Sequence, residues 1–163
     1  MDLHSVLQSL YDTSLSTSIR QVGILFPAIE SVHVIAITVV VGTIAIVDLR
    51  LIGYASHRRS ANRLIHELLP FTWVAFAAAI ISGSLMFASK AVDYAENGPF
   101  LWKMCTLVAA GINMGIFHLG IHRRIGEWDE TFPVPFAARL AGFLSLVLWI
   151  AVVFLGRWIG FTM

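Results

Sequence analysis

Cysteine is almost absent from this chain. Cys105 stands alone among 163 residues, which excludes an internal disulfide and a multi-cysteine zinc or iron–sulfur site. Charge is scarce as well: Asp, Glu, Lys and Arg make up 13% of the residues, roughly half the share of an ordinary soluble domain. Such a chain cannot cover itself with polar groups, so its surface must face something apolar. The formal net charge is +1, and no basic field points to nucleic acid. No serine, cysteine or paired-carboxylate constellation makes a hydrolytic site. Low-complexity segments and internal repeats are absent. No cleavable signal peptide is expected, because Asp2 and Asp12 precede any Lys or Arg and the nearby apolar residues are periodic rather than continuous.

What is present in abundance is apolar length. Hydrophobic residues are 58% of the chain and the mean hydropathy is +0.80. Four windows reach the roughly 20 residues a membrane helix needs. They predict helices over about 22–49, 64–90, 99–122 and 138–160. Short loops between them make one membrane domain over residues 1–163, an all-α, integral membrane four-helix up-down bundle. Leu3, Val6, Leu7, Leu10 and Ile19 recur at near-helical spacing, so residues 1–20 read as an amphipathic outer segment, lying on the membrane or on the bundle mouth. Phe26-Pro27 marks the start or a kink of the first membrane helix. "DYAENGPF" reads as a turn-rich outer loop and "ETFPVPF" as an inner loop.

Lys and Arg distribution sets the expected orientation. Arg50, Arg58, Arg59, Arg63, Arg123, Arg124 and Arg139 fall on one side; Arg20, Lys90, Lys103 and Arg157 fall on the other. The richer side should be cytoplasmic, with both termini outside, as in a multi-pass protein of a bacterial inner membrane.

Glu30 and Asp48 lie 18 residues apart, five helical turns, and so share a face about 27 Å apart along the axis. His33, Ile37, Val41 and Ile44 continue that stripe, which should point into the bundle because a charge in lipid costs several kcal/mol. On the second helix the expected inward face is His66, Pro70, Trp73, Ala77 and Ser84. On the third it is Lys103, Leu107, Gly111, Met114, Gly115, His118 and His122, with Gly111 and Gly115 spaced for close helix approach. On the fourth it is Gly142, Ser145 and Trp149. Depth then groups Asp48, His66, His118 and His122 at the inner side, and Glu30, His33 and Lys103 at the outer side.

His66, His118 and His122 are candidate ligands for haem iron or a metal ion, since neutral imidazole suits iron, copper and zinc and a carboxylate such as Asp48 can orient a ring. The competing reading makes His66 and His122 wetted interfacial residues beside arginines. Met104, Met114 and Cys105 are expected as core packing rather than ligands. Glu30 and Lys103 are expected to pair, with His33 as a satisfied polar neighbour; a proton or metal relay through Glu30 and His33 is the alternative. Asp48 and Arg50 can form a helix-end ion pair.

At "ESVHVIAI…DLRLIG", "NGPFLWKM" and "GINMGIFH" the chain resembles a bacterial family of small four-helix membrane proteins with no assigned function. That resemblance covers nearly the whole chain and implies a fold but no activity. The layout is more loosely similar to copper-resistance D-type membrane proteins and cytochrome b561-type bundles, which hold haem with paired histidines at matched depths. Here the outer side has only His33 and the fourth helix has no histidine, so at most one b-type haem, through His66 and His118, fits the pattern. The expectation is therefore a membrane protein handling electrons or a metal through haem b or copper. The alternatives are a non-catalytic membrane subunit binding other membrane proteins, and a small permease.

Overall fold

A computed structural model describes residues 2–54, 60–129 and 134–163, with the side chains of Arg124, Glu127 and Trp128 excepted. Arg58 and Arg59 of the orientation count, and the first four residues of "ETFPVPF", lie outside the described residues.

The described residues contain helices and no strands. Two short helices, α1 (Leu3–Tyr11) and α2 (Ser14–Gln21), precede the long α3 (Leu25–Ile52). Then come α4 (Ala61–Ser89), the short α5 (Ala91–Glu96) and α6 (Gly98–Ile116). A π-helical turn, Phe117–Ile121, and a 3₁₀ turn, His122–Arg124, continue α6. After them lie α7 (Ile125–Trp128) and α8 (Phe136–Thr162). Four spans, Leu25–Ile52, Ala61–Ser89, Gly98–Ile121 and Phe136–Thr162, are long and apolar enough to cross a membrane. The protein is a multi-pass membrane bundle whose helices alternate in direction. Glu30 lies towards one end of the bundle and Arg50 towards the other.

Local chemistry sets the helix limits. Pro27 sits in the first turn of α3, where a missing N–H costs no intrahelical bond. At the other end Gly53 takes a left-handed conformation (φ 88°), and the Tyr54 N–H bonds the Leu49 carbonyl. Asn97 caps α6 by accepting from the Phe100 N–H at 3.0 Å, with Pro99 just inside. "DYAENGPF" is accordingly not a loop. Its first four residues belong to α5, whose Tyr94 rests against Phe87 and Phe100, and Asn97 starts α6 directly.

α3 packs against both α4 and α8, and α6 packs against α8. Gly142 of α8 permits the α3 contact: a Cβ there would stand 3.0 Å from Leu51 Cβ and 3.1 Å from the Asp48 carbonyl oxygen. Thr72 of α4 bonds Thr43 of α3 at 2.8 Å, and Asn113 of α6 donates to the Ala141 carbonyl of α8 at 3.0 Å. A core of Leu51, Ala61, Ile65, Phe117, Ala138 and Ala141 gathers towards the Arg50 end. At the Glu30 end Arg20 ties α1 and α2 to the bundle. Its guanidinium donates to the Tyr11 and Ser89 carbonyls (2.8 and 2.9 Å) and stacks on the Tyr11 ring.

Candidate functional site

Of the expected α3 stripe, Asp48 is buried, His33, Ile37, Val41 and Ile44 are half-buried and Glu30 is exposed; the apolar residues buried beside it are Ala36, Val40 and Leu51. The expected α8 face also holds: Gly142 is buried and Ser145 meets Asp48. The other two faces turn differently. His66, Pro70, Trp73, Ala77 and Ser84 of α4 are all exposed, while Leu64, Ile65, Ala75 and Ser82 are buried. On α6 Lys103 and Leu107 face inward as expected, but the packed side continues through Ala110, Asn113 and Phe117, while Met114 is exposed and Gly111 and Gly115 meet nothing within 4 Å. Helices this uniformly apolar carry no periodic contrast, so polar spacing misled the assignment by up to about 100°, one residue of rotation. Met104, Met114 and Cys105 are exposed, not in the core.

Towards the Glu30 end, all four spans contribute to one polar cluster. His33 Nδ1 lies 2.9 Å from Ser82 Oγ, and the Ser82 hydroxyl donates to the Ala78 carbonyl at 2.6 Å. A hydroxyl has one hydrogen, so at the ring it accepts, and Nδ1 carries the proton. Two helical glycines admit the long side chains. A Cβ at Gly83 would lie 3.0 Å from His33 Cε1, and one at Gly156 would lie 3.4 Å from Lys103 Nζ. Lys103 is within electrostatic reach of His33. The expected Glu30–Lys103 pair is not formed: the ion pairs among the described residues are Arg50–Asp129 and Arg63–Glu67. Glu30, three residues before His33, is rotated out to the exposed rim. There it acts on Tyr94, whose hydroxyl is pushed up by burial and then by the Glu30 charge.

At the Arg50 end Asp48 is 5% exposed, and its Oδ2 is buried with no hydrogen-bond partner. Its polar neighbour is Ser145 rather than Arg50 or a histidine. Arg50, also buried, turns to Asp129, with 3.8 Å between Nη2 and Oδ1. The Asp129 carboxylate accepts from the Ala61 and Asn62 N–H groups at 2.6 and 2.9 Å, capping α4 from a distant loop. Asp129 was not legible as a structural residue. The one hint was a helix starting at Ser60-Ala61-Asn62, whose orphan N–H groups need acceptors.

The histidines partly converge. His118 and His122 bracket most of the π-helical turn, with ring centroids 5.4 Å apart. Phe117 packs on both rings. His118 Nδ1 lies 3.0 Å from the Met114 carbonyl oxygen and donates to it, leaving Nε2 unprotonated in the neutral ring. His122 Nε2 is buried without a partner. Burial, followed by the nearby His118 and His66, holds the His122 imidazole below its ordinary value, against an opposing pull from Asp129. His66 itself is exposed on α4. Among the described residues no three His, Cys, Asp or Glu side chains converge closely enough to hold a metal ion.

No curated protein and no solved structure matches the chain. A sequence family does match, over residues 12–162, nearly the whole length. The chain belongs to this family, DUF6644, a family of unknown function.

Proposed function

We propose that this membrane protein handles a transition-metal ion of the copper class, held between His118 and His122 at a cytoplasmic Arg50 end, with His66 as an outer partner. One observation carries this reading. Two imidazoles meet where α6 ends: His118 within the π-helical turn has Nδ1 tied to a backbone carbonyl, and His122 just after it has a buried, unpartnered Nε2. A backbone-anchored Nδ1–H leaves Nε2 as the donor and fixes the ring, the usual support for a metal-bound histidine. π-Turns inside α-helices recur at functional sites. The depressed His122 keeps that ring in the neutral, ligating form. Two imidazoles make a low-coordinate site, which favours copper over a closed zinc site. Haem b fits less well: His118 and His122 share one helix, so the second axial ring would have to be the exposed His66.

Expression with added copper and, separately, with added haem precursor tests this. Metal is measured by mass spectrometry and haem by absorbance. Copper bound by wild type and lost in His118→Ala and His122→Ala, but retained in His33→Ala, is expected. A Soret band lost in His66→Ala would replace copper with haem. A metal-free, colourless wild type would overturn both.

A membrane-subunit role is the second reading. Gly111 and Gly115 face open space on α6, the arrangement that admits another membrane helix. Crosslinking through Cys105, which is exposed on the same helix, reads it out.

A further inference from the structure

The polar cluster towards the Glu30 end has no part in the metal reading, yet the bundle is shaped around it. Gly83 leaves room for the His33 ring, which an added Cβ would crowd at 3.0 Å, and Gly156 lies against the Lys103 ammonium group, which an added Cβ would touch at 3.4 Å. Lys103 has no carboxylate within 4.0 Å among the described residues. A lone cation at membrane depth is unfavourable and calls for a counter-charge. We propose that Lys103 and His33 together form a site for a small monovalent anion, a halide or a short carboxylate, which binds along with a proton.

The donor inventory dictates the coupling. Ser82 spends its only hydrogen on Ala78, so it cannot donate to an anion. His33 Nδ1–H is spent on Ser82, with the Ala79 carbonyl a further acceptor beside the ring, so a second proton goes to Nε2. Lys103 alone thus supplies a donor when the ring is neutral. Protonated His33 supplies a second but places a like charge within reach of Lys103. An anion between the two relieves that repulsion, so proton and anion stabilise each other's binding. Other charged groups at this end face elsewhere. Glu30 on α3 is exposed and acts on Tyr94 of α5, and the Arg157 guanidinium on α8 lies 5.0 Å from the Phe161 ring centre. At the cluster itself α4 contributes Ser82, Gly83 and the Ala79 carbonyl, none of which titrates.

The test is equilibrium binding of radiolabelled chloride and of radiolabelled acetate to the full chain in lipid nanodiscs, between pH 5.5 and 8. One probe should bind at one per chain, with affinity rising by up to about tenfold per unit fall in pH, the slope of one linked proton. Lys103→Met should abolish binding and Lys103→Arg restore it. His33→Gln should still bind, without the pH slope. Gly156→Val crowds Lys103 without altering any charge and should weaken binding at every pH. The proposal is overturned if wild type binds neither probe, if Lys103→Met binds as wild type does, or if the slope survives in His33→Gln.

Discussion

His122 shows how much one side chain's surroundings decide. Its ring is held below the ordinary histidine value by burial and by two neighbouring imidazoles. The folded protein therefore takes up its proton at a lower pH than the unfolded chain does. Stability is lost as pH falls, starting near the unfolded value of about 6.5 and continuing down to the folded one. Melting temperatures measured at pH 7.5 and 5 should show this loss, and His122→Phe should flatten it. An unchanged slope in the variant would assign the loss elsewhere. Asp129 makes a second residue-scale case. It caps two N–H groups of α4 and faces buried Arg50. Asp129→Ala should destabilise by about 1–2 kcal/mol for the cap, more with the altered ion pair. Asp129→Asn, which keeps one acceptor oxygen, should recover part of this in detergent melts.

For whole elements, the glycines separate a packed helix face from an open one. Gly142 sits where α8 touches α3, with under 3.2 Å between an added Cβ and its neighbours. Gly142→Ala should cost about 1–3 kcal/mol, because α3 and α8 must move apart. Gly111→Ala meets nothing within 4 Å and should be neutral, or stabilising by up to about 1 kcal/mol through helix propensity. Paired thermal melts in detergent compare the two directly. Equal losses would mean that the Gly111 face is covered by another copy or partner. The comparison also shows why helix existence was legible and helix rotation was not. α3 and α8 carried inward-facing groups whose spacing marks one face: His33 and Asp48 on one, Gly142 and Ser145 on the other. α4 turned His66 and Ser84 outward, and α6 turned Gly111 and Met114 outward while Lys103 and Asn113 faced in, so the same rule failed on α4 and held only in part on α6.

The molecule as a whole has an even number of spans, which puts α1, α2 and Met163 on one side of the membrane. We expect that side to be the exported one, since Arg50, Arg63, Arg123 and Arg139 all lie towards the other. Reporter fusions after Met163 in a bacterium should give the exported signal; a cytoplasmic signal would reverse the assignment and place the histidines outside. Both polar clusters sit off the middle of the bundle, one near each end. Between them lie the Thr43–Thr72 hydrogen bond and the Asn113 contact to the Ala141 carbonyl.

Sequence alone determined the class of the molecule: four apolar segments of spanning length, their alternation, and a short amphipathic lead. These follow from composition and length, because a bilayer demands about 20 apolar residues per crossing regardless of neighbours. It also marked Glu30, His33, Asp48, Lys103 and the histidines as the groups to explain. Which of them meet was decided only by tertiary structure. Lys103 faces His33 instead of Glu30, Arg50 turns to Asp129 instead of Asp48, and His118 finds His122 across a π-turn. Those pairings depend on helix rotation and on contacts between distant segments. In lipid, both faces of a helix are apolar, so the sequence carries too little contrast to specify rotation before the helices pack.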